Sequence, residues 1–313
     1  MIRAFKTIDD KLVRIEDIAA SEKDMWINLV NPSQSDIAQV AEKFDIDAAH
    51  IGAALDEEER ARIEVEDDYT LVIIDIPVLE KEDVPNYYIT IPLGIIMGKD
   101  FIITVCIKDS AVMSIFENGR IKGFHTFMKT RFAFQIFYKT SALYLNYLRR
   151  IDRKSNDIER ELHKSMKNKE LIQLLNLEKS LVYFTTSLRA NEIVMEKMLR
   201  HDSIKKYPED KELLEDVIIE NKQAIEMASI YSNILSGMMD AFASVISNNL
   251  NIVMKFLTSV TIVMAIPTMV ASFFGMNVKV PFAQNPYAFS IVIFISLCLA
   301  ILFGMIMARK KMF

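Results

Sequence analysis

Asn251, Thr258, Thr261, Ala265, Thr268 and Ser272 follow one another at intervals of seven, three, four, three and four residues. On an α-helix that spacing gathers them on one face. They bring an amide, hydroxyls and a methyl group into a run otherwise built of Val, Ile, Met and Phe. Two kinds of chemistry fit. Small and hydroxylated residues at this spacing let helices approach closely in a membrane; the same neutral oxygens could instead line a wet path for a cation. Two features weigh toward the wet path. Extending the stripe toward the N-terminus reaches Ser247, Ser244, Asp240 and Gly237, where a packing seam needs no polar groups, and the next apolar run is more uniformly apolar. One helix cannot enclose a path, so that reading requires several copies of the chain around an axis.

Other candidate groups are fewer. Gly275-Met276-Asn277 closes the run and offers one more amide. Asp216 and Glu220 stand one helical turn apart; on a charged helix such a pair is a solvated face before it is a pair of cation ligands. Asp56-Glu57-Glu58-Glu59 is an acidic run open to the same two readings. His50, His125, His163 and His201 are scattered, and no Cys/His/acid set has ligand spacing. No Gly-x-x-x-x-Gly-Lys loop is present, so nothing points to ATP. The net charge of −5 argues against nucleic-acid binding.

The elements that must carry these residues divide sharply. The apolar runs, Phe256 to Phe274 and roughly Tyr287 to Ala308, are each about 20 residues, the length that crosses a hydrocarbon core of roughly 30 Å. Between Phe256 and Ala308 the one formal charge is Lys279. Arg309-Lys310-Lys311 after the second run and Lys255 at the start of the first favour a cytoplasmic position for both ends. Residues 1–250 are then expected to be cytoplasmic, since the N-terminus has no apolar core of signal-peptide length.

Within 1–120, short β runs (Met25–Val30, Thr70–Ile76, Tyr88–Met97, Phe101–Ile107) alternate with short helices, one of them opened by Ser33 with Asp36 three residues on. That pattern predicts a small α/β domain. From Phe124 to His201 the period becomes helical, with a break near Asn168, predicting a hairpin of two long helices. Tyr207-Pro208 ends it. From Glu209 the helical pattern continues into the first apolar run, about 66 residues and on the order of 100 Å if unbroken. The expected organisation is an α+β membrane protein: domain 1–120, hairpin and stalk helix 121–250, and membrane domain 251–313 with spans at about 252–274 and 287–308.

Gly275-Met276-Asn277 after a Pro267-bearing span, with Val253-Met254-Lys255 upstream and one further span and a basic tail downstream, resembles the CorA family of divalent-cation channels. The resemblance covers the whole architecture. It implies a homopentamer in the inner or plasma membrane carrying Mg²⁺, often also Co²⁺ and Ni²⁺, into the cytoplasm. Gly275, Met276 and Asn277 would form the selectivity filter, with a ring of Asn277 amide oxygens at the outer mouth. Asn251 would form an inner polar ring, and Thr258, Thr261, Ala265 and Thr268 would line the path between. Met254 and Leu257 match an apolar constriction, and Asp240 an acidic ring further in. Asp216 and Glu220 fall where regulatory Mg²⁺ is bound between subunits. The partner acids of the α/β domain align near Gly52-Ala53, where none stands; Asp56 and the run it opens could substitute. Phe274 replaces the usual Tyr, and Lys279 makes basic a loop where many members carry a Glu.

Three rivals remain open at this level. A Zn²⁺ transporter of the same superfamily more often has Val in place of Met276. A membrane-anchored sensor or scaffold would share the architecture and conduct nothing. An enzyme lacks any constellation to support it.

Overall fold

The computed structural model describes residues 1–16, 23–80, 87–119, 121, 123–165, 168–201, 208–277, 280–281 and 285–310. These fall into two compact units, Met1–Gly237 and Met238–Phe313.

The first unit is organised by a seven-stranded mixed sheet. Its strands are β1 (Ile2–Ile8), β2 (Lys11–Ile15), β3 (Met25–Val30), β4 (Arg62–Val65), β5 (Tyr69–Glu80), β6 (Tyr87–Gly98) and β7 (Phe101–Cys106), in the order β2-β1-β3-β7-β6-β5-β4. Only β3 and β7 run parallel, paired from Met25↔Phe101 to Val30↔Cys106. Every residue of β3 is buried, as its unbroken Met-Trp-Ile-Asn-Leu-Val run requires of a strand covered on both faces. The sequence reading omitted β1, β2 and β4. The first two form a hairpin turned at Asp9 and Asp10, whose φ values of 48° and 59° give the left-handed bend of a two-residue loop. Without the usual Asn-Gly, the acids there read as surface charge.

One face of the sheet is covered by α1 (Gln34–Phe44) and α2 (Ala48–Ala53), over Met25, Ile27, Leu71, Ile73 and Ile103. Ser33 and Asp36 cap α1 reciprocally, as the sequence predicts: the Asp36 amide donates to Ser33 Oγ (3.2 Å) and the Ser33 amide to the Asp36 carboxylate (2.9 Å). At the end of α2, Ala54 lies so close to β6 that a Cβ at Gly94 would sit 2.8 Å from its own Cβ; only glycine admits the approach.

The opposite face carries α3 (Ala111–Glu117), the hairpin α4 (Lys129–Ser165) and α5 (Asn168–Arg200), and the start of α6 (Pro208–Phe274). Trp26, Phe116, Phe132, Phe134, Phe137, Met195 and Leu214 fill the core between them. One polar device locks α5 to the sheet. Asp75 lies on β5 two residues beyond Ile73, where the pairing with β4 ends. There the Asn191 side chain takes both of its backbone groups, accepting from the Asp75 amide (2.8 Å) and donating to the Asp75 carbonyl (2.8 Å), while Tyr144 Oη donates to that carbonyl at 3.1 Å.

Pro208 opens α6 at the first helical position, where its missing N–H costs nothing. The helix runs 67 residues, about 100 Å at 1.5 Å per residue, and continues through Pro267. The last helix, α7 (Ala288–Arg309), matches the expected second span to within a residue.

Candidate functional site

In the second unit, α6 and α7 are long and apolar enough to cross a membrane, and they bury almost none of that apolar surface. Met264, Phe273, Phe289 and Phe294 are each 61–78% exposed. In water such exposure would drive aggregation.

The two sides of α6 differ. Asn251, Thr258, Thr261, Ala265, Thr268 and Ser272 are all exposed, as are Asp240, Met254 and Leu257 further in. Ser259 is buried, and Val260, Val263, Ile266, Pro267 and Val270 are half-buried. On α7 the half-buried positions are Ala288, Ile291, Val292, Ser296, Leu299, Ala300, Gly304 and Met307, again a single face. A cavity of about 500 Å³ lined by Pro267, Ala271, Phe274, Phe289, Val292 and Ser296 sits between the helices near Gly275. The oxygen-bearing stripe thus faces away from α7. Opposite the stripe, Val260, Val263 and Val270 turn inward within this unit, while Phe256 and Phe273 are exposed to more than half.

Two of the stripe's hydroxyls are bonded back to the helix. Thr261 Oγ1 donates to the Leu257 carbonyl (2.8 Å) and Thr268 Oγ1 to that of Met264 (3.3 Å). With each proton turned back to the helix, the oxygen lone pairs point outward as acceptors. The helix stops at Phe274. The Gly275 amide still donates to Ala271 O (2.9 Å), and a Cβ at Gly275 would approach that oxygen to 3.3 Å. Met276 and Asn277 lie exposed beyond the helix end. Lys279 lies outside the described residues.

The regulatory candidates are on the first unit. Asp216 is exposed and Glu220 half-buried on α6. Asp56 lies in the turn after α2, its carboxylate accepting from the Glu58 amide at 3.0 Å. In the run it opens, Glu59 is paired with Arg62 (2.6 Å) and Glu57 lies 3.8 Å from Lys108. The chain does not bring Asp56, Asp216 and Glu220 into one ligand cluster among the described residues. A Cβ added at Gly52 meets nothing within 4 Å, so the missing acid there leaves open space.

One cluster escaped the sequence reading. His50, expected to stand apart from any ligand set, has Glu64 and Glu66 beside it. They are 14 and 16 residues away in the chain, no motif spacing links them, and the pairing of β4 with β5 beneath α2 brings them together.

A family model described as CorA-like Mg2+ transporter protein matches residues 21–310. The chain belongs to this family. Its members are membrane transporters, not enzymes. The chain is 28% identical over 296 residues to the cobalt/magnesium transport protein CorA of Methanocaldococcus jannaschii, covering 91% of this chain and 90% of that one. It is 22% identical to the CorA of Thermotoga maritima over 99% and 88% of the two chains. The complete structure of the M. jannaschii CorA magnesium transporter superposes with a TM-score of 0.84 at 24% identity, covering 99% of this chain and 98% of that one. The ZntB cytoplasmic domain from Vibrio parahaemolyticus, at 14% identity and a TM-score of 0.61 over 79% of this chain and 96% of its own, shares the fold alone.

Proposed function

We propose that this member of the CorA-like family is a homo-oligomeric, five-subunit channel for passive uptake of Mg²⁺, with Co²⁺ and Ni²⁺ as further cargo. The exposed stripe from Asn251 to Ser272 on α6, turned away from α7 and ending at Gly275-Met276-Asn277, carries the reading. Five copies would set these oxygens around a central path, with α7 outside against lipid. Asn277 amides would meet the ion at the outer mouth. Because Mg²⁺ sheds water reluctantly, a ring of neutral oxygens suits a largely hydrated ion. Thr258, Thr261, Ala265 and Thr268 would line the path to Asn251. Met254 and Leu257 would form an apolar constriction that closes by dewetting, with Asp240 concentrating cations at its inner end.

Residues 1–120 and 121–250 would then be the cytoplasmic body and the hairpin with stalk, with 251–313 forming the pore, both termini inside. Divalent-ion binding near Asp216 and Glu220 would hold the channel closed. The membrane potential suffices as driving force, since a divalent ion gains roughly 4.6 kcal/mol per 100 mV.

Asn277→Ala decides the filter assignment. In liposomes the variant is expected to reduce Mg²⁺ flux to the background of protein-free vesicles while eluting as the same oligomer. Wild-type flux from the variant overturns the filter; a folded wild-type oligomer without Mg²⁺ flux overturns the channel. The same assay with competing Co²⁺, Ni²⁺ and Zn²⁺ ranks the cargo.

A further inference from the structure

His50 projects from α2 toward the end of β4, which carries Glu64; Glu66 follows directly after the last strand residue, Val65, its amide donating to Tyr69 O at 2.9 Å. Each of the three offers a ligand atom, and these atoms lie within 4.8 Å of one another. Ligands at about 2.1 Å from a common tetrahedral ion stand about 3.4 Å apart. Side-chain rotations that bring the farthest pair closer by about 1.4 Å therefore close the set.

Neighbouring groups fix its orientation. Tyr69 Oη lies 2.8 Å from His50 Nδ1 and itself accepts from the Asp47 amide at 3.3 Å. Nδ1 is thereby occupied and Nε2 faces the carboxylates, 3.4 Å from Glu64 Oε2. The other Glu64 oxygen, Oε1, accepts from Arg62 Nε at 2.6 Å, which holds the carboxylate in place and leaves Oε2 for the ion. When Nε2 binds a metal, Nδ1 keeps its proton and donates it to the Tyr69 oxygen, the usual partner arrangement of a ligating histidine. Glu59, Glu64 and Glu66 against Arg62 leave two negative charges, matched by one dication.

We infer that His50 Nε2, Glu64 Oε2 and a Glu66 carboxylate oxygen form a binding site for a transition-metal dication of the Zn²⁺ and Co²⁺ class. The imidazole sets that class: mixed nitrogen and carboxylate ligands suit Zn²⁺, Co²⁺ and Ni²⁺, whereas Mg²⁺ prefers oxygens and retained water. Glu66 is exposed, so water completes the coordination. The site is independent of the pore reading and stands on a different part of the chain.

A His50–Glu64 ion pair alone would account for two of the three residues but gives Glu66 no part, and that difference is the test. Calorimetric titration of Zn²⁺ into the full-length protein in detergent, with Mg²⁺ in excess, is expected to show one fewer Zn²⁺ per chain in His50→Ala. Glu66→Gln, an exposed change that spares the fold, and Tyr69→Phe should each weaken that site by about 10- to 100-fold. Zn²⁺ binding unchanged in both His50→Ala and Glu66→Gln, each eluting as wild type, overturns the site. So does displacement of this Zn²⁺ by equimolar Mg²⁺.

Discussion

The Asp75 side chain sits where water is scarce, between β5 and the α4–α5 hairpin. Burial pushes its carboxyl up from the usual 3.8 to about 6, and the Ser187 hydroxyl draws it only partly back. Tyr144 beside it is likewise raised, by burial first and by Asp75 second. The sign for stability follows from proton binding. The folded state holds the Asp75 proton more tightly than the unfolded state, so folding loses stability as pH rises from about 4 to about 6 and stays lower above. Two pH units correspond to about 3 kcal/mol. Asp75→Asn, which keeps the shape and removes the charge, is expected to raise the melting temperature at pH 8 and change it little at pH 4. Equal shifts at the two pH values in thermal melts would contradict this. At the same scale, Thr261 and Thr268 show what residue identity alone conveys. Their hydroxyls were readable as oxygen donors, but the direction of their lone pairs depended on bonds to Leu257 and Met264.

Among the elements, β5 outruns its short neighbour β4, and α5 serves the β5 backbone there. The sequence reading placed β5 without saying how the Asp75 backbone would be satisfied. Asn191 does so, and it is fully buried. Asn191→Ala leaves two backbone groups without that partner, at about 1–3 kcal/mol each. A loss of about 2–6 kcal/mol in chemical denaturation is expected, and a loss below 1 kcal/mol would mean that Tyr144 and water suffice. The long helices were legible because apolar period, length and the Pro208 start are local signals. The hairpin of β1 and β2 and the short β4 were not. Four- to seven-residue strands with charged turns carry little periodicity, and their pairing is decided by neighbours distant in the chain.

For the whole molecule, the functional reading assigns α6 two tasks: Asp216 and Glu220 for regulation, and the residues from Asn251 onward for conduction. Within the chain, Asp56, Asp216 and Glu220 do not come together in one ligand cluster among the described residues. Asp216→Ala is expected to raise the Mg²⁺ concentration giving half-maximal protection from proteolysis by at least about tenfold, equivalent to about 1.4 kcal/mol. Protection that follows the wild-type Mg²⁺ curve would remove Asp216 from the regulatory site.

By itself the sequence determined the two long apolar helices, the oxygen stripe, the Gly275-Met276-Asn277 stop at its end and the family. Each of these rests on spacing within one helix or on contiguous residues, and helix geometry turns spacing into position without help from the rest of the chain. Tertiary structure decided what depends on distant segments meeting: that the stripe faces away from α7, that Asn191 holds the Asp75 backbone past the end of β4, and that His50 meets Glu64 and Glu66. Sheet pairing and helix docking bring those residues together, and no local period records which strand will become a neighbour.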